Sequence, residues 1–338
     1  MLSDILGQNR AKKILQNALC NNRVAHAYLF HGPPGIGKKT LARAFARALL
    51  CPAAVDDSCG NCSICRRIAG EQFPDFVILQ PAGNYIKIEQ IRELQKKAQY
   101  KPYESLRKVY LINQAESMTV EAANCMLKIL EDPPANTVFL LTAANPYNLL
   151  PTIISRCQLV PLEKLAPADI GEMLQERYRI TPEMSLLLAS LSEGLPGMAV
   201  DMAVSDKALE TREMMLRLVD NINSGRVDEL LQAAEELDKK KEILPVILDQ
   251  LLLWFRDRLV WVQTGEESLI HNIDKLDRLK DESAPNNQDS LVRGIAQILE
   301  TRNQIGRNIN QRLAVEVLLL KLAALPRLKG RSTRRLFR

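Results

Sequence analysis

The sequence predicts an α/β domain with a mainly parallel sheet, followed by an all-helical region. In the first half of the 338-residue chain, short apolar runs typical of strands alternate with segments whose apolar residues recur at helical spacing. After about residue 165 the strand patterns end and helical segments continue. At 46% hydrophobic residues the chain has the composition of a globular protein, and its length allows two or three domains.

Five short apolar segments have the length and the branched or aromatic residues expected of strands. They are Ala27–His31, Phe76–Leu79, Val109–Ile112, Thr137–Thr142 and Cys157–Val160. Between them, helical spacing of apolar residues recurs, as in Leu41, Phe45, Ala48 and Leu49 or in Ile88, Ile91 and Leu94. Strands that alternate with helices in this way predict a doubly wound sheet covered by helices.

A glycine-rich run directly follows the first predicted strand. Its glycines are Gly32, Gly35 and Gly37, and the next residue is Lys38. Glycines at these positions allow a tight turn with inward-pointing N–H groups, and the lysine adds a positive charge at the start of a helix. Because a strand precedes the run and an amphipathic helix follows it, we predict a phosphate-binding P-loop.

Positions that a working ATPase needs are altered. Lys39 stands where a hydroxyl normally coordinates Mg²⁺, and its ammonium repels a cation. Thr40 is a poor substitute, since one further residue turns a helical side chain by about 100°. Asn113 and Gln114 end the third predicted strand, where carboxylates would hold magnesium and activate water. We predict a degenerate site that does not hydrolyse ATP; an unusual active ATPase is the alternative, and nucleotide binding stays open.

Four closely spaced cysteines follow the predicted P-loop helix. Cys51, Cys59, Cys62 and Cys65 have the spacing C-x7-C-x2-C-x2-C. In a cytosolic chain such thiols suit tetrahedral zinc, and the compartment disfavours disulfides. Iron–sulfur ligation and free thiols are the alternatives. Since four thiolates leave no open position for water, we expect the zinc to be structural.

The region after residue 165 is predicted to be helical throughout. We expect a small helical domain at 166–205 and a larger one beyond, which contains Ile243–Val262 and Arg312–Leu325. The leucines of the last segment cover more than one face of its helix. Apolar helices of this kind predict a domain core, and because these leucines cover more than one face, burial against another chain is the alternative.

The charge of the chain is concentrated at its end. Six basic residues and no acidic one lie in 326–338, and without them the net charge of +5 becomes about −1. The body therefore lacks a general polyanion-binding surface. The tail is expected to be a solvated, disordered end, with contact to DNA phosphates as the alternative. The first residues do not resemble a signal peptide, so we expect a cytoplasmic protein without a membrane partner.

Several segments together resemble one known family. The chain is similar to the delta prime subunits of bacterial DNA polymerase III clamp loaders, which are AAA+ proteins. The resemblance covers nearly the whole length, and the Ser-Arg-Cys triplet is its most specific motif. The segments that carry it are Ile5–Gln8, Ala25–Phe30, the P-loop, Ala122–Pro134, Ser155-Arg156-Cys157 and Asn308–Glu316.

The resemblance implies a fold and a division into domains. A RecA-like AAA+ domain would span 1–165, with a zinc module at 51–65. A helical lid at 166–205 and a collar at 206–325 that joins subunits into a ring would follow, with the basic tail at 326–338. In the lid, Gly197 occupies the position at which motor subunits of the family carry an arginine.

The resemblance also implies a function. The chain would be a stator that helps to load the sliding clamp onto primed DNA, as part of the DNA polymerase III holoenzyme and not as an enzyme on its own. Arg156 would act as an arginine finger in trans on ATP held by the adjacent subunit. The implied partners are the other subunits of a hetero-pentameric ring, the sliding clamp and, through the complex, primer-template DNA.

The sequence disfavours two other functions. An ATP-hydrolysing gamma/tau-type motor subunit of the same loader is disfavoured by the residues at positions 39, 113, 114 and 197. An independent zinc-containing DNA-binding protein is disfavoured by the nearly neutral body of the chain. The sequence therefore favours the delta prime interpretation.

Overall fold

The apolar segments of the first half of the chain pair into a five-stranded sheet in the computed structural model, which describes residues 1–204, 207–283, 288–305 and 310–325. The strands are β1 (Ala27–His31), β2 (Phe76–Leu79), β3 (Lys108–Ile112), β4 (Thr137–Ala143) and β5 (Gln158–Pro161). Their order is β2-β3-β4-β1-β5, and all neighbouring pairs are parallel. The predicted parallel sheet is confirmed, with strand ends within one residue of the prediction.

The predicted start of the last strand is wrong by one residue. Cys157 was expected in β5, but its N–H donates to the carbonyl oxygen of Ile154 at 3.1 Å and closes the short helix before the strand. The strand therefore begins at Gln158, which pairs with Tyr28 of β1.

Helices cover both faces of the sheet. Alternation along β1 sends Tyr28 and Phe30 into one hydrophobic cluster together with Phe45, and Leu29 into a second cluster together with Met126. The helices up to residue 178 are α1 (Asn9–Cys20), α2 (Lys38–Leu50), α3 (Ser63–Ala69), α4 (Ile88–Ala98), α5 (Val120–Glu131), α6 (Pro151–Ile154) and α7 (Pro167–Tyr178). This is the doubly wound arrangement that the sequence predicts.

The remaining described elements are helical, as predicted. They are α8 (Pro182–Leu191), α9 (Pro196–Val204), α10 (Lys207–Ser224), α11 (Val227–Lys239), α12 (Leu244–Thr264), α13 (Leu276–Glu282), α14 (Gln288–Ile305) and α15 (Gln311–Ala323), with short 3₁₀ turns between α12 and α13. Their core surrounds Trp254, which is fully buried, and includes Leu318, Leu319 and Leu322 of α15. The leucines of α15 thus pack mainly within this part of the chain.

The chain divides into two compact units. Unit 1 comprises residues 1–173 and 194–198, and unit 2 comprises residues 174–193 and 199 onward. Helices α7 and α9 each begin in unit 1 and end in unit 2, so the segment 166–205 contributes to both. A separate lid and collar therefore stay a prediction, and the basic tail at 326–338 lies outside the described residues.

Within the described part of the chain, no helix has both the length and the apolar character needed to span a membrane.

Candidate functional site

The predicted P-loop connects the end of β1 to the start of α2. The φ angles of Gly32, Gly35 and Gly37 are 148°, 78° and 97°, a backbone region that residues with a Cβ atom rarely adopt. Helix α2 begins directly after the third glycine, at Lys38. The three glycines are therefore required by the turn itself, as the sequence predicts.

The ammonium of Lys38 points back into the loop. Its Nζ donates to the carbonyl oxygens of Gly32 at 2.6 Å and Pro33 at 3.0 Å. Burial lowers the pKa of Lys38, and the negative charge of Glu116 partly opposes this effect. The lysine thus lies in a partly desolvated site together with a carboxylate that the sequence interpretation did not single out.

Glu116 is tied to the end of the central strand β4. Its Oε1 accepts from the backbone N–H of Ala144 at 2.8 Å, whereas its buried Oε2 has no hydrogen-bond partner among the described residues. Glu116 lies only two residues after Gln114. An acidic residue so close to the altered positions is the sequence signal that could have identified Glu116.

The residues at the magnesium positions do not fit a divalent cation. The hydroxyl of Thr142 donates to Oδ1 of Asn113 at 2.9 Å and accepts from the backbone N–H of Gln114 at 3.0 Å. The amide oxygen of Asn113 is therefore engaged, and Gln114 is exposed with a φ of 55°. Lys39 brings a positive charge to the same loop, and Thr40 is exposed.

Gly197 lies directly against the P-loop. Its N–H donates to the carbonyl oxygen of Gly35 at 2.8 Å. A Cβ atom added at position 197 would lie 2.7 Å from that oxygen, which is too close for any side chain. Position 197, which the resemblance assigns to a lid without its arginine, is therefore also a position where the backbone contacts the loop.

The four predicted cysteine ligands come together at the end of α2. Their Sγ atoms all lie within 4.8 Å of one another, with 3.6 Å between Cys51 and Cys59 and 4.0 Å between Cys59 and Cys65. Four sulfurs bound tetrahedrally at 2.3 Å from one zinc ion would be about 3.8 Å apart. The cluster therefore fits a tetrahedral metal ion.

Backbone geometry holds this cluster in place. The N–H groups of Cys59 and Cys65 donate to Sγ of Cys51 and Cys62 at 3.4 and 3.3 Å, and Gly60 turns the chain with a φ of 74°. These hydrogen bonds and the turn at Gly60 fix the positions of two of the four sulfurs.

Arg156 lies between α6 and β5. Its Nη1 donates to the carbonyl oxygen of Thr152 at 3.0 Å and to Oγ of Ser155 at 3.3 Å, and its Nη2 donates to Oε1 of Glu131 at 2.9 Å. The Arg156 side chain is 35% exposed. Its charge is thus oriented by neighbours and still open to solvent.

The sheet separates Arg156 from the P-loop of the same chain. In the parallel pair of β1 and β5, Tyr28 pairs with Gln158 and His31 with Pro161. Arg156 precedes β5 and lies at the amino edge of the sheet, whereas the P-loop follows β1 at the carboxyl edge. The four residues of β5 span about 13 Å at 3.3 Å per residue. The structure therefore brings the P-loop, Asn113 and Gln114 to one edge and leaves Arg156 at the other.

Comparison with known proteins gives consistent matches. A family described as "DNA polymerase III, delta subunit" matches residues 7–166, and one described as "DNA polymerase III, delta subunit, C terminal" matches residues 206–324. DNA polymerase III subunit delta′ of Bacillus subtilis is 33% identical over 318 residues, which cover 93% of this chain and 96% of the relative.

Two further proteins show similarity to this chain. DNA polymerase III subunit tau of Bacillus subtilis is 28% identical over 295 residues, which cover 80% of this chain and 52% of tau. The solved structure of a DNA polymerase III gamma subunit-related protein from Thermotoga maritima has a TM-score of 0.45 at 20% identity, covering 94% of this chain and 99% of that one.

Proposed function

This chain belongs to the DNA polymerase III delta′ family of clamp-loader subunits, and from that premise we propose that it is a stator that does not hydrolyse ATP itself. It supplies Arg156 in trans to ATP bound by a neighbouring subunit. By doing so it helps the loader to place the sliding clamp on primed DNA during replication.

The position of Arg156 carries this proposal. The residue lies at the sheet edge opposite its own P-loop, so the length of β5 separates it from any phosphate bound there. It is charged, partly exposed and oriented by three acceptors. A guanidinium of this kind suits the charge that develops on a transferring phosphoryl group, for which fingers supplied in trans are worth about 10³-fold or more in rate.

The absence of ATP hydrolysis follows from the P-loop edge. Phosphoryl transfer depends on a metal ion and a group that positions water, and the residues at the metal positions do not fit Mg²⁺. Asn113 and Gln114 are amides, and Lys39 adds a cation. The contact of Gly197 with Gly35 leaves no space for the lid arginine of a motor subunit. These four positions disfavour the gamma/tau-type alternative.

Zinc at the four-cysteine cluster is the second part of the proposal. Cys51, Cys59, Cys62 and Cys65 would hold the ion and cross-link the end of α2 to the start of α3. Zinc bound by four thiolates has no open position for a substrate or water. Its contribution is therefore local folding energy and not chemistry.

The partners follow from the same premise. We expect the chain to assemble with other clamp-loader subunits in a hetero-pentameric ring, through the helices at 206–325, and to act on the sliding clamp and primer-template DNA within that complex. It belongs to the polymerase holoenzyme and works in the cytoplasm.

Reconstitution of the loader with Arg156→Ala tests this function. Hydrolysis at the one interface that loses its finger should fall strongly, so total ATPase activity should fall in part, and clamp loading should fall further because it needs the whole ring. Assembly should survive, since Arg156 lies outside the helical collar region. An assembled mutant loader with unchanged ATPase activity and clamp loading would show that Arg156 has only a structural role.

A further inference from the structure

The ion pair of Arg156 joins two elements that are distant in sequence. Glu131 is the last residue of α5, 25 positions before Arg156, and its Oε1 accepts from Nη2 at 2.9 Å. The Nη1 of the same guanidinium is held by Thr152 and Ser155, which belong to its own segment. Glu131 is therefore the acceptor that connects the arginine to the rest of the domain.

A positive partner stabilises a carboxylate at this end of a helix. The C-terminal end of a helix carries a partial negative charge, which repels an acidic side chain and attracts a basic one. Glu131 occupies that unfavourable position at the end of α5, and Arg156 neutralises it. The pairing thus offsets the unfavourable charge of Glu131 at the end of α5.

The pair is weak enough to exchange partners. The side chains of Glu131 and Arg156 are 54% and 35% exposed, and ion pairs of such exposure shift an equilibrium by about fivefold at most. A phosphate group carries more negative charge and can accept two parallel hydrogen bonds from a guanidinium. A phosphate that reaches Arg156 would therefore outcompete the carboxylate.

Binding of phosphate to Arg156 disfavours the contact of Glu131 with the same guanidinium. A carboxylate that touches the guanidinium would lie close to the phosphate oxygens, and the two negative charges would repel each other. Because Glu131 is the exposed terminal residue of its helix, its side chain can turn into solvent without moving the backbone.

We propose that Glu131 is the resting partner of Arg156 and that the phosphate of the neighbouring subunit's nucleotide displaces it. This inference rests on the proposed trans function of Arg156. Glu131 is a positioning residue in this scheme: it holds the guanidinium while the neighbouring site is empty and competes with phosphate for it. Competition by Glu131 therefore lowers the rate of ATP hydrolysis slightly until the ring has closed.

The test uses a reconstituted loader in which only the ATP site facing Arg156 is competent. With clamp and DNA absent, Glu131→Gln should raise ATPase activity about two- to fivefold, because the competing charge is removed. Asp132→Asn is the matched control. It removes a neighbouring exposed charge for which the described residues show no ion pair, and it should change activity much less.

The double variant separates this inference from the proposed function. In the Arg156→Ala background, Glu131→Gln should have no further effect, since the partner it releases is gone. If Arg156→Ala lowers activity but Glu131→Gln leaves it unchanged or lowers it, the exchange is refuted and the finger stands. If Arg156→Ala itself has no effect, both ideas are refuted. Zinc content and ring assembly verify that each variant is folded.

Discussion

The two edges of the parallel sheet are built from the same five strands and differ in what they keep. At the carboxyl edge, the P-loop turn and Lys38 are present, but Lys39, Asn113 and Gln114 replace the groups that handle metal and water. At the amino edge, Arg156 keeps a charged and partly exposed side chain held by three acceptors. In the proposed function, the carboxyl edge no longer performs ATP chemistry, and the amino edge contacts a neighbouring subunit.

In the proposed function, the fold is kept although one of its sites no longer works. The strands need their alternating apolar residues to pack against helices on both faces, whatever happens at the loops. Catalytic groups at the carboxyl edge can therefore change while the sheet still presents Arg156 at its amino edge. In the proposed function, the domain is kept as a rigid support for a residue that acts on a neighbour.

Removal of zinc should have the largest effect on the stability of the protein. It should not change the difference between the two edges of the sheet. Structural zinc sites contribute on the order of 10 kcal/mol to local folding. We expect about one zinc per chain by metal analysis, and Cys62→Ser should weaken zinc retention and loosen the segment 51–65 in hydrogen exchange. Loader ATPase activity should persist. Protein prepared without chelators and containing no zinc would refute the metal assignment.

Gly197→Arg tests whether the carboxyl edge can be repaired by restoring the arginine of a motor subunit. Because a Cβ atom at this position would lie 2.7 Å from the carbonyl oxygen of Gly35, we expect no gain of ATPase activity and a loss of about 1–3 kcal/mol in stability.

The stability of Gly197→Arg is measured by thermal or denaturant unfolding, with Gly70→Ala as the control variant. That control residue has a negative φ of −84°, and an added Cβ atom would meet only ordinary contacts at 3.8 Å. Equal stability of the two variants would mean that position 197 has space for a side chain.

Asp75 supports the amino edge, and its loss should have a smaller effect. The carboxylate is 1% exposed and accepts from the backbone N–H groups of Tyr103, Glu104 and Ser105 at 2.7–2.9 Å. Asp75→Asn turns one acceptor into a donor facing these N–H groups, which should cost about 2 kcal/mol at neutral pH. The exposed Asp56→Asn is the control and should be nearly neutral.

The stability lost in Asp75→Asn should depend on pH in a defined direction. Burial alone would raise the pKa of Asp75, but the hydrogen bonds from Tyr103, Glu104 and Ser105 outweigh it and hold the pKa below its usual range. The stabilisation is thus complete above the unfolded pKa of about 3.9 and is lost as pH falls through the lower folded value. The stability difference between wild type and Asp75→Asn should narrow below about pH 4, and a difference that widens there would contradict this reasoning.

The sequence was sufficient to predict features that depend on residues close together in the chain. Short apolar runs of strand length located the strands, and glycine spacing located the P-loop, because both arise from local backbone geometry. The cysteine cluster was also predictable, since its ligands lie within fifteen residues that a single turn brings together.

Contacts between distant segments could not be predicted in this way. The pairing of Glu131 with Arg156, the charge of Glu116 near Lys38 and the contact of Gly197 with Gly35 each join separate elements. They depend on how helices and loops pack at the ends of the sheet, which residue spacing does not encode. The resemblance identified position 197 but did not predict the backbone contact between Gly197 and Gly35.

The central claim is that the chain acts through its amino edge and not through its own P-loop. The most direct measurement compares Lys38→Ala with Arg156→Ala in a loader whose single competent ATP site faces Arg156. We predict that Lys38→Ala leaves hydrolysis at that site nearly unchanged, whereas Arg156→Ala lowers it by about 10³-fold or more. Loss of hydrolysis with Lys38→Ala and normal hydrolysis with Arg156→Ala would contradict the account.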